Sequence, residues 1–275
     1  MENKLVEVLS DITKSKLQVT PDILLLQFTV VNACIVSNIN NDPNKWVLVD
    51  TGLENSAEFI IECANERFGK GSKPEGIILT HGHFDHVGSV KKLMEFWQVP
   101  AYIHQLELPY VTGKRDYPVP DPTVDEGLIA KLSPTFPHKS INLGDGIIAL
   151  SSDGSIPIMP NWRYIHTPGH CEGHISLFKE DDGIIIVADA FCTLKQESLL
   201  SVITHKEEIS GPPKYLTINW ENAKESIIKI FKLNPKIAIT SHGEPMEGDK
   251  LIKHLKYLID NFEEIAEPKE GKFLK

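Results

Sequence analysis

The amino-acid sequence predicts an α/β protein, in which strands and then helices follow one another twice along the chain. Short apolar segments rich in β-branched residues come first, and segments with helical periodicity follow them. The same order returns in the second half of the chain. Two sheets with helices outside, a four-layer αββα sandwich, would fit this order, although periodicity alone predicts only the α/β class.

The length, composition and charge are those of an acidic globular protein. Of the 275 residues, 41% are hydrophobic and 24% are charged, so the chain can bury a large apolar core. We expect one domain over residues 1–275, with a proline-rich insertion at about residues 105–160. The net charge of −10 opposes a phosphate backbone, so general nucleic-acid binding is disfavoured.

Cysteine usage and short apolar runs predict a cytoplasmic protein. The four cysteines form no CxxC pair, and thiols without disulfides suit a reducing compartment. Met1–Lys16 mixes charges and contains no apolar stretch typical of a signal peptide. Apolar runs such as Ile184–Ala188 are too short to span a membrane, so no membrane partner is expected.

The first hundred residues predict an antiparallel meander followed by alternating helices and strands. The meander comprises Ile23–Val31, Ala33–Ser37, a turn at Asn41–Asn44 and the strand Trp46–Asp50. A helix capped by Asn55 or Ser56 then extends to Phe68. A strand, a helix and a strand follow at Gly76–Thr80, Val87–Trp97 and Pro100–His104.

Residues 105–160 contain eight of the 18 prolines and predict an irregular insertion with one helical piece near Val124–Leu132. Long loops in compact domains are often functional, so we expect this insertion to form part of a substrate pocket. A simple surface excursion is the alternative. Tyr110, Arg115 and Tyr117 are the candidates for lining the pocket.

Regular structure returns after the insertion. Strands are predicted at Arg163–His166, Ile175–Lys179, Ile184–Ala188 and Lys236–Thr240. Helices are predicted at Glu221–Leu233 and Asp249–Ala266.

The segment Thr80–His86, Thr-His-Gly-His-Phe-Asp-His, carries the strongest functional signal, because it follows a buried strand and opens a helix. Imidazole and carboxylate groups bind zinc and similar metals at neutral pH. Alternate residues of an extended loop point the same way, so His81 and His83 can bind one ion. Asp85 and His86 turn with the start of the helix towards a second ion.

Three further ligand candidates follow predicted strands, where polar groups gather at one edge of a sheet. His170 lies in a His-Thr-Pro-Gly-His segment, Asp189 ends the strand Ile184–Ala188, and His242 follows Lys236–Thr240. Each alone is more often a hydrogen-bonded surface residue. Together with the histidine-rich loop they complete two ligand sets.

From about Ile23 to His242, the chain resembles the metallo-β-lactamase superfamily in the spacing and context of this motif. The resemblance implies that family's fold, a sandwich of two mixed sheets with outer helices. It implies His81, His83 and His170 as ligands of a first metal, Asp85, His86 and His242 as ligands of a second, and Asp189 as the bridge. Leu48–Gly52 matches another segment typical of the family, with Asp50 as the hydrogen-bond partner of a ligand histidine.

The function that the resemblance implies is hydrolysis by a hydroxide bridging two metal ions, with Asp85 as the catalytic residue that transfers its proton. Zinc is the expected metal, and iron or manganese would tolerate the same ligands. The expected substrate is a small-molecule ester, thioester or lactone. The bridging Asp189 argues against a β-lactam, and Phe191 and Cys192 stand where lactonases of this family carry a catalytic tyrosine.

Several alternatives stay open. The first is a mononuclear iron dioxygenase that oxidises a thiol persulfide, and the others are a phosphodiesterase or nuclease and a non-catalytic binding module. A homodimer is also open. His166 and His174 flank His170 and are candidates for supporting or pocket roles, while Cys171 and Cys192 are interpreted as packing residues.

Overall fold

A computed structural model describes residues 14–195 and 209–274. Most of the segment considered for a signal peptide lies outside these residues. The chain divides into two compact units. Unit 1 comprises the residues up to Tyr117 together with Pro137–Arg163, and unit 2 comprises Pro118–Phe136 together with the residues from Tyr164 onwards.

Unit 1 contains a mixed sheet, and its strands are neighbours in chain order. Within the described ranges these strands are β1 (Lys14–Thr20), β2 (Ile23–Phe28), β3 (Asn32–Ile39), β4 (Asp42–Val49), β5 (Ile77–Ile78), β6 (Ala101–Ile103) and β7 (Ile147–Ala149). The pairs from β1 to β4 are antiparallel, and those from β4 to β7 are parallel. Parallel neighbours end at the same edge of a sheet, so the residues that follow β4 and β5 come together there.

In the described part of unit 1 the α-helices are α1 (Ala57–Phe68), α2 (Phe84–Val87), α3 (Val90–Trp97) and α4 (Leu108–Val111). The buried face of α1 includes Ile60, Cys63 and Ala64, as its periodicity predicts. Trp46 of β4 is fully buried, with its ring stacked on Phe68 at 4.9 Å between centroids. This apolar core holds the sheet edge rigidly in place.

Unit 2 contains a second mixed sheet. Among residues 118–195 and 209–274, the helices and strands that belong to this unit are α5 (Leu128–Leu132), β8 (Arg163–His166), β9 (Ile175–Lys179), β10 (Ile184–Ala188), α6 (Trp220–Lys232), β11 (Ile237–Thr240), β12 (Met246–Glu247), α7 (Gly248–Asp260) and α8 (Phe262–Ile265). The sheet has the order β12-β11-β10-β9-β8. Strands β10 and β11 are parallel, so Asp189 and His242 follow their strands at the same edge.

Two predicted helices are interrupted. The predicted helix Val87–Trp97 begins earlier and breaks between α2 and α3, where Gly88 donates its N–H to Gly52 O at 3.0 Å. A Cβ on Gly88 would lie 2.4 Å from the carbonyl carbon of Leu53, so the close approach of two backbones sets this break. The predicted helix Asp249–Ala266 is divided at Asn261, whose side chain bonds to Tyr257 O at 2.8 Å.

The insertion is more regular than its proline content predicts. Residues Ile147–Ala149 form β7, which pairs in parallel with β6 and extends the sheet of unit 1. The helical piece is confirmed, although α5 begins at Leu128. Strands β1 and β12 were not predicted, because β1 is charged and largely exposed and β12 has two residues.

The turn before β4 lies slightly earlier than predicted. Asn40 and Asn41 both have positive φ values, of 55° and 59°, as a tight hairpin requires, and β4 already begins at Asp42. Strand β2 ends at Phe28, whose N–H bonds to Val31 O.

In the part of the chain that the structure describes, the helices are too short or too polar to cross a lipid bilayer.

Candidate metal centre

The histidine-rich loop of unit 1 follows β5 and ends in α2, as the sequence predicts. His81, His83, Asp85 and His86 are buried, with exposed fractions between 0% and 7%. The ring centroid of His81 lies 4.6 Å from that of His83 and 4.0 Å from that of His86. The ligand atoms of His81 and His83, of His81 and His86, and of Asp85 and His86 approach within 4.8 Å. The loop therefore gathers four metal-ligating side chains away from water.

Asp50, at the end of β4, holds this loop through its carboxylate. Its Oδ1 accepts a hydrogen bond from Thr80 N at 2.8 Å. Its Oδ2 accepts from Thr80 Oγ1 and from His86 Nδ1, both also at 2.8 Å. The predicted hydrogen bond between Asp50 and a histidine of the loop is thus confirmed. Asp50 has a left-handed backbone, with φ at 58°, which is uncommon outside glycine and typical of strained functional sites.

These hydrogen bonds assign the tautomers of two histidines. A carboxylate only accepts hydrogen bonds, so His86 donates to Asp50 through Nδ1. The Thr80 hydroxyl donates its proton to Asp50, and its oxygen therefore accepts from His81 Nδ1 at 3.1 Å. Both rings carry their proton on Nδ1, and Nε2 of each ring presents its lone pair to a metal.

In unit 2, the carboxylate of Asp189 lies between two imidazoles. His170 Nε2 is 3.3 Å from Asp189 Oδ2, and His242 Nε2 is 3.3 Å from Asp189 Oδ1. All three side chains are buried, with at most 3% exposed. Ala188, the last residue of β10, has φ at 50°, so the chain turns sharply where it presents Asp189. One carboxylate thus faces two potential ligands.

His170 and Asp189 are each held by a neighbour. The Thr217 hydroxyl donates to Pro213 O at 2.8 Å, so its oxygen accepts from His170 Nδ1 at 3.1 Å. This leaves Nε2 of His170 available to a metal ion. The backbone N–H of Asp189 donates to His174 Nε2 at 3.0 Å.

The structure separates the residues whose roles the sequence left open. His174 supports the backbone of Asp189, whereas the half-buried His166 pairs with Glu172 O at 2.9 Å. Cys171 and Cys192 are buried, with 1% and 0% exposed, in agreement with their interpretation as packing residues. Tyr110 and Tyr117 stack on each other, and the Tyr117 ring centroid lies 4.3 Å from that of His83. These tyrosines therefore pack against the histidine-rich loop.

Sequence reasoning missed the residues that hold the ligands. Thr80 is the first residue of the histidine-rich segment, and its position beside His81 could have indicated its role. Thr217 lies 47 residues beyond His170, and no spacing rule connects the two. Glu107, which accepts a hydrogen bond from the backbone of the loop, lies in the proline-rich insertion, where no motif indicates its role.

Both clusters have the donor chemistry of a divalent-metal site. Imidazole nitrogens and carboxylate oxygens suit zinc, iron and manganese, and three of the histidines are already oriented with Nε2 as an acceptor. Buried carboxylates are costly without a positive partner, which a cation supplies, and neutral imidazoles donate a lone pair to the same ion. The residues present therefore fit divalent metal ions.

Comparison with known proteins identifies the same fold and chemistry. The model of the metallo-beta-lactamase superfamily matches residues 28–242. YflN of Bacillus subtilis (strain 168), named a probable metallo-hydrolase, is 45% identical over 225 residues, which are 82% of this chain and 85% of YflN.

Two solved structures illustrate the likeness in fold. The BLEG-1 B3 metallo-beta-lactamase has a TM-score of 0.57 at 22% identity, over 90% of this chain and 99% of that one. TTHA1623 in a di-iron-bound form has a TM-score of 0.52 at 22% identity, over 86% of this chain and 94% of that one. The predicted fold class, two mixed sheets with helices, is confirmed.

The role of Thr80 predicts a measurable loss of metal affinity. Thr80→Val removes the hydroxyl that links Asp50 to His81, and we expect metal binding to weaken by about 10- to 100-fold. Thr80→Ser keeps the hydroxyl and is expected to bind like the wild type. Competition with a chelator for Zn²⁺ measures the difference, with Thr20→Val on β1 as control. Equal affinities for the Val and Ser variants would show that the hydroxyl does not orient His81.

Proposed function

The chain belongs to the metallo-β-lactamase superfamily and is a metallo-hydrolase, and on that premise we propose that it cleaves a small-molecule ester, thioester or lactone with two metal ions. The observation that carries the proposal is the Asp189 carboxylate, whose oxygens lie 3.3 Å from Nε2 of His170 and of His242. A carboxylate that faces two imidazoles in this way supports a bridge between two ions.

The ligand sets in this proposal follow the family motif. They are His81, His83 and His170 for the first ion and Asp85, His86 and His242 for the second, with Asp189 bridging both. The burial of all seven side chains supports the assignment. Zinc suits these ligands best, and iron or manganese would also be accepted. The di-iron-bound form of TTHA1623 supports iron as an alternative in this fold.

Two bound cations would lower the pKa of a water molecule towards 7 and polarise the scissile bond of the substrate. A side chain of the protein would transfer the proton of this water molecule. The carboxylate of Asp85 is positioned at the start of α2, is only 7% exposed, and would accept the proton of the attacking water. It would then deliver this proton to the leaving group. Asp50 and Thr217 keep the ligand imidazoles oriented throughout.

The insertion at residues 105–160 is proposed to form the wall of the substrate pocket. Seven large apolar side chains are exposed in the described part of the chain, and Leu106, Val119, Leu128 and Ile148 of the insertion are four of them. An insertion of about a fifth of the chain thus carries four of these seven side chains. Exposed apolar groups of this kind support binding of a substrate with an apolar portion.

A cytoplasmic location and a small-molecule partner complete the proposal. None of the four cysteines, all of which lie in described residues, forms a disulfide, and all four are buried. This usage supports a reducing compartment.

Metal analysis tests the two-ion proposal. We expect two equivalents of metal per chain after saturation, because seven ligands divide into two sets that share Asp189. The metal-replete protein should hydrolyse members of a panel of esters, thioesters and lactones. One equivalent of iron, together with oxygen consumption on a thiol persulfide, would contradict the proposal and indicate the mononuclear dioxygenase instead.

Asp85→Asn tests the proton transfer. Asparagine keeps the volume but cannot act as a base, so we expect kcat to fall by about 100-fold or more while the first metal is retained. Steady-state kinetics at measured metal content give the answer, with the exposed Asp145→Asn as control. Turnover near that of the control in a metal-replete Asp85→Asn protein would remove this carboxylate from the mechanism.

Single serine substitutions test the proposed pocket wall. Leu106→Ser, Val119→Ser and Leu128→Ser should leave metal content unchanged and alter kcat/KM unequally across the substrate panel. Phe96→Ser on α3 is a matched control, because Phe96 is also exposed, at 59%, but lies outside the insertion. Identical kcat/KM ratios across the panel for all four variants would show that the insertion does not select substrates.

A further inference from the structure

Glu107 is fully buried, which is unusual for a glutamate, and it bonds to the backbone between two of the loop histidines. Its Oε2 accepts a hydrogen bond from Gly82 N at 3.1 Å and another from the Tyr117 hydroxyl. Gly82 N also lies 3.0 Å from Tyr117 Oη. The N–H of Gly82 is therefore shared between two acceptors, both of which belong to the insertion.

Tyr117 also contacts the loop through its ring. The ring centroid is 4.3 Å from that of His83, at an interplanar angle of 53°. Tyr110 stacks on Tyr117 at 4.0 Å and 7°, and the Arg115 guanidinium lies 5.2 Å from the Tyr110 centroid. The His83 ring is thus packed between the rings of Tyr117 and His81, and this packing restricts the rotation of its imidazole.

Gly82 leaves room for these contacts. Its φ is not positive, so a side chain would not strain the backbone itself. A Cβ at this position would, however, lie 2.7 Å from Tyr117 Oη and 3.2 Å from Val111 Cγ1. The space around Gly82 is occupied by the groups that hold its peptide.

We propose that Glu107 and Tyr117 are positioning residues that set the separation and orientation of His81 and His83 by fixing the peptide between them. The inference rests on the proposed function, in which these two histidines bind the same ion. A peptide N–H held by two buried acceptors resists rotation, because any rotation would leave a buried charged or polar group unsatisfied. The ligand pair is therefore preorganised by a segment outside the metal motif.

Tyr117→Phe is the direct test, since it removes the hydroxyl and keeps the stacked ring. We expect Co²⁺ to bind to the full-length protein about 10- to 100-fold more weakly, with altered absorption bands because the ligand geometry changes. The melting temperature of the metal-free protein should match that of Tyr102→Phe, a control at another buried tyrosine, on β6. Glu107→Gln should weaken Co²⁺ binding similarly, and if that variant does not fold, Tyr117→Phe decides alone.

A double variant tests whether both residues act through Gly82. Gly82→Ala should lower Co²⁺ affinity in the wild type, and the further loss should be smaller in the Tyr117→Phe background, where the nearest obstacle is absent. Additive losses would overturn the inference. So would unchanged affinity and absorption bands in Tyr117→Phe, or a fall in melting temperature with unchanged affinity. Failure of the wild type to bind Co²⁺ would overturn the proposed function, and this inference with it.

Discussion

Three hydrogen bonds converge on the carboxylate of Asp50, and the histidine-rich loop of unit 1 depends on them. They come from the backbone and hydroxyl of Thr80 and from Nδ1 of His86. The carboxylate is 2% exposed and lies where β4 ends, next to the end of β5. A carboxylate is favourable at this buried position because both of its oxygens accept hydrogen bonds. The parallel pairing of the two strands therefore fixes the start of the loop.

The same physical device occurs in both units. Thr80 donates its proton to Asp50 and accepts from His81, while Thr217 donates to Pro213 O and accepts from His170. In each case the hydroxyl donates its proton to another acceptor, so its oxygen can only accept a hydrogen bond from Nδ1 of the histidine. Nε2 of each histidine is thereby left as the nitrogen available to a metal ion, and metal binding would not need to select among tautomers. Thr80 is next to its histidine in sequence, whereas Thr217 lies 47 residues away from its histidine.

The sequence predicts the candidate metal ligands, but it does not predict the residues that hold those ligands in position. Ionisable residues directly after an apolar strand indicate four of the candidates, His81, His83, Asp85 and His86. The segment Leu48–Gly52 indicates Asp50. The roles of Thr217 and Glu107 cannot be predicted in this way, because they bond to residues far away in the sequence. Such tertiary contacts leave no periodic pattern.

The fold shows the same division. The apolar strands β9 and β10 begin and end at the predicted residues, whereas the three-residue β7 lies in a segment that the sequence predicts to be irregular. The helix breaks at Gly88 because the backbone near Gly52 lies close to it. Local helix propensity cannot predict such a contact. Prediction therefore fails for an element that is too short to show a hydrophobic period. It also fails where contact with a backbone segment distant in sequence ends the element.

The loop from His81 to His86 places four ionisable side chains in six residues, all of them buried. Two non-glycine residues beside the ligand candidates, Asp50 and Ala188, have left-handed backbones, with φ at 58° and 50°. Each such conformation costs of order 1–3 kcal/mol, and buried ionisable groups add a desolvation cost. A cation that binds only the folded chain offsets these costs and links stability to metal binding. Local rules for a stable core are broken at this point of the chain, and a bound cation makes that burial favourable. This is also why the motif is so distinct in the sequence.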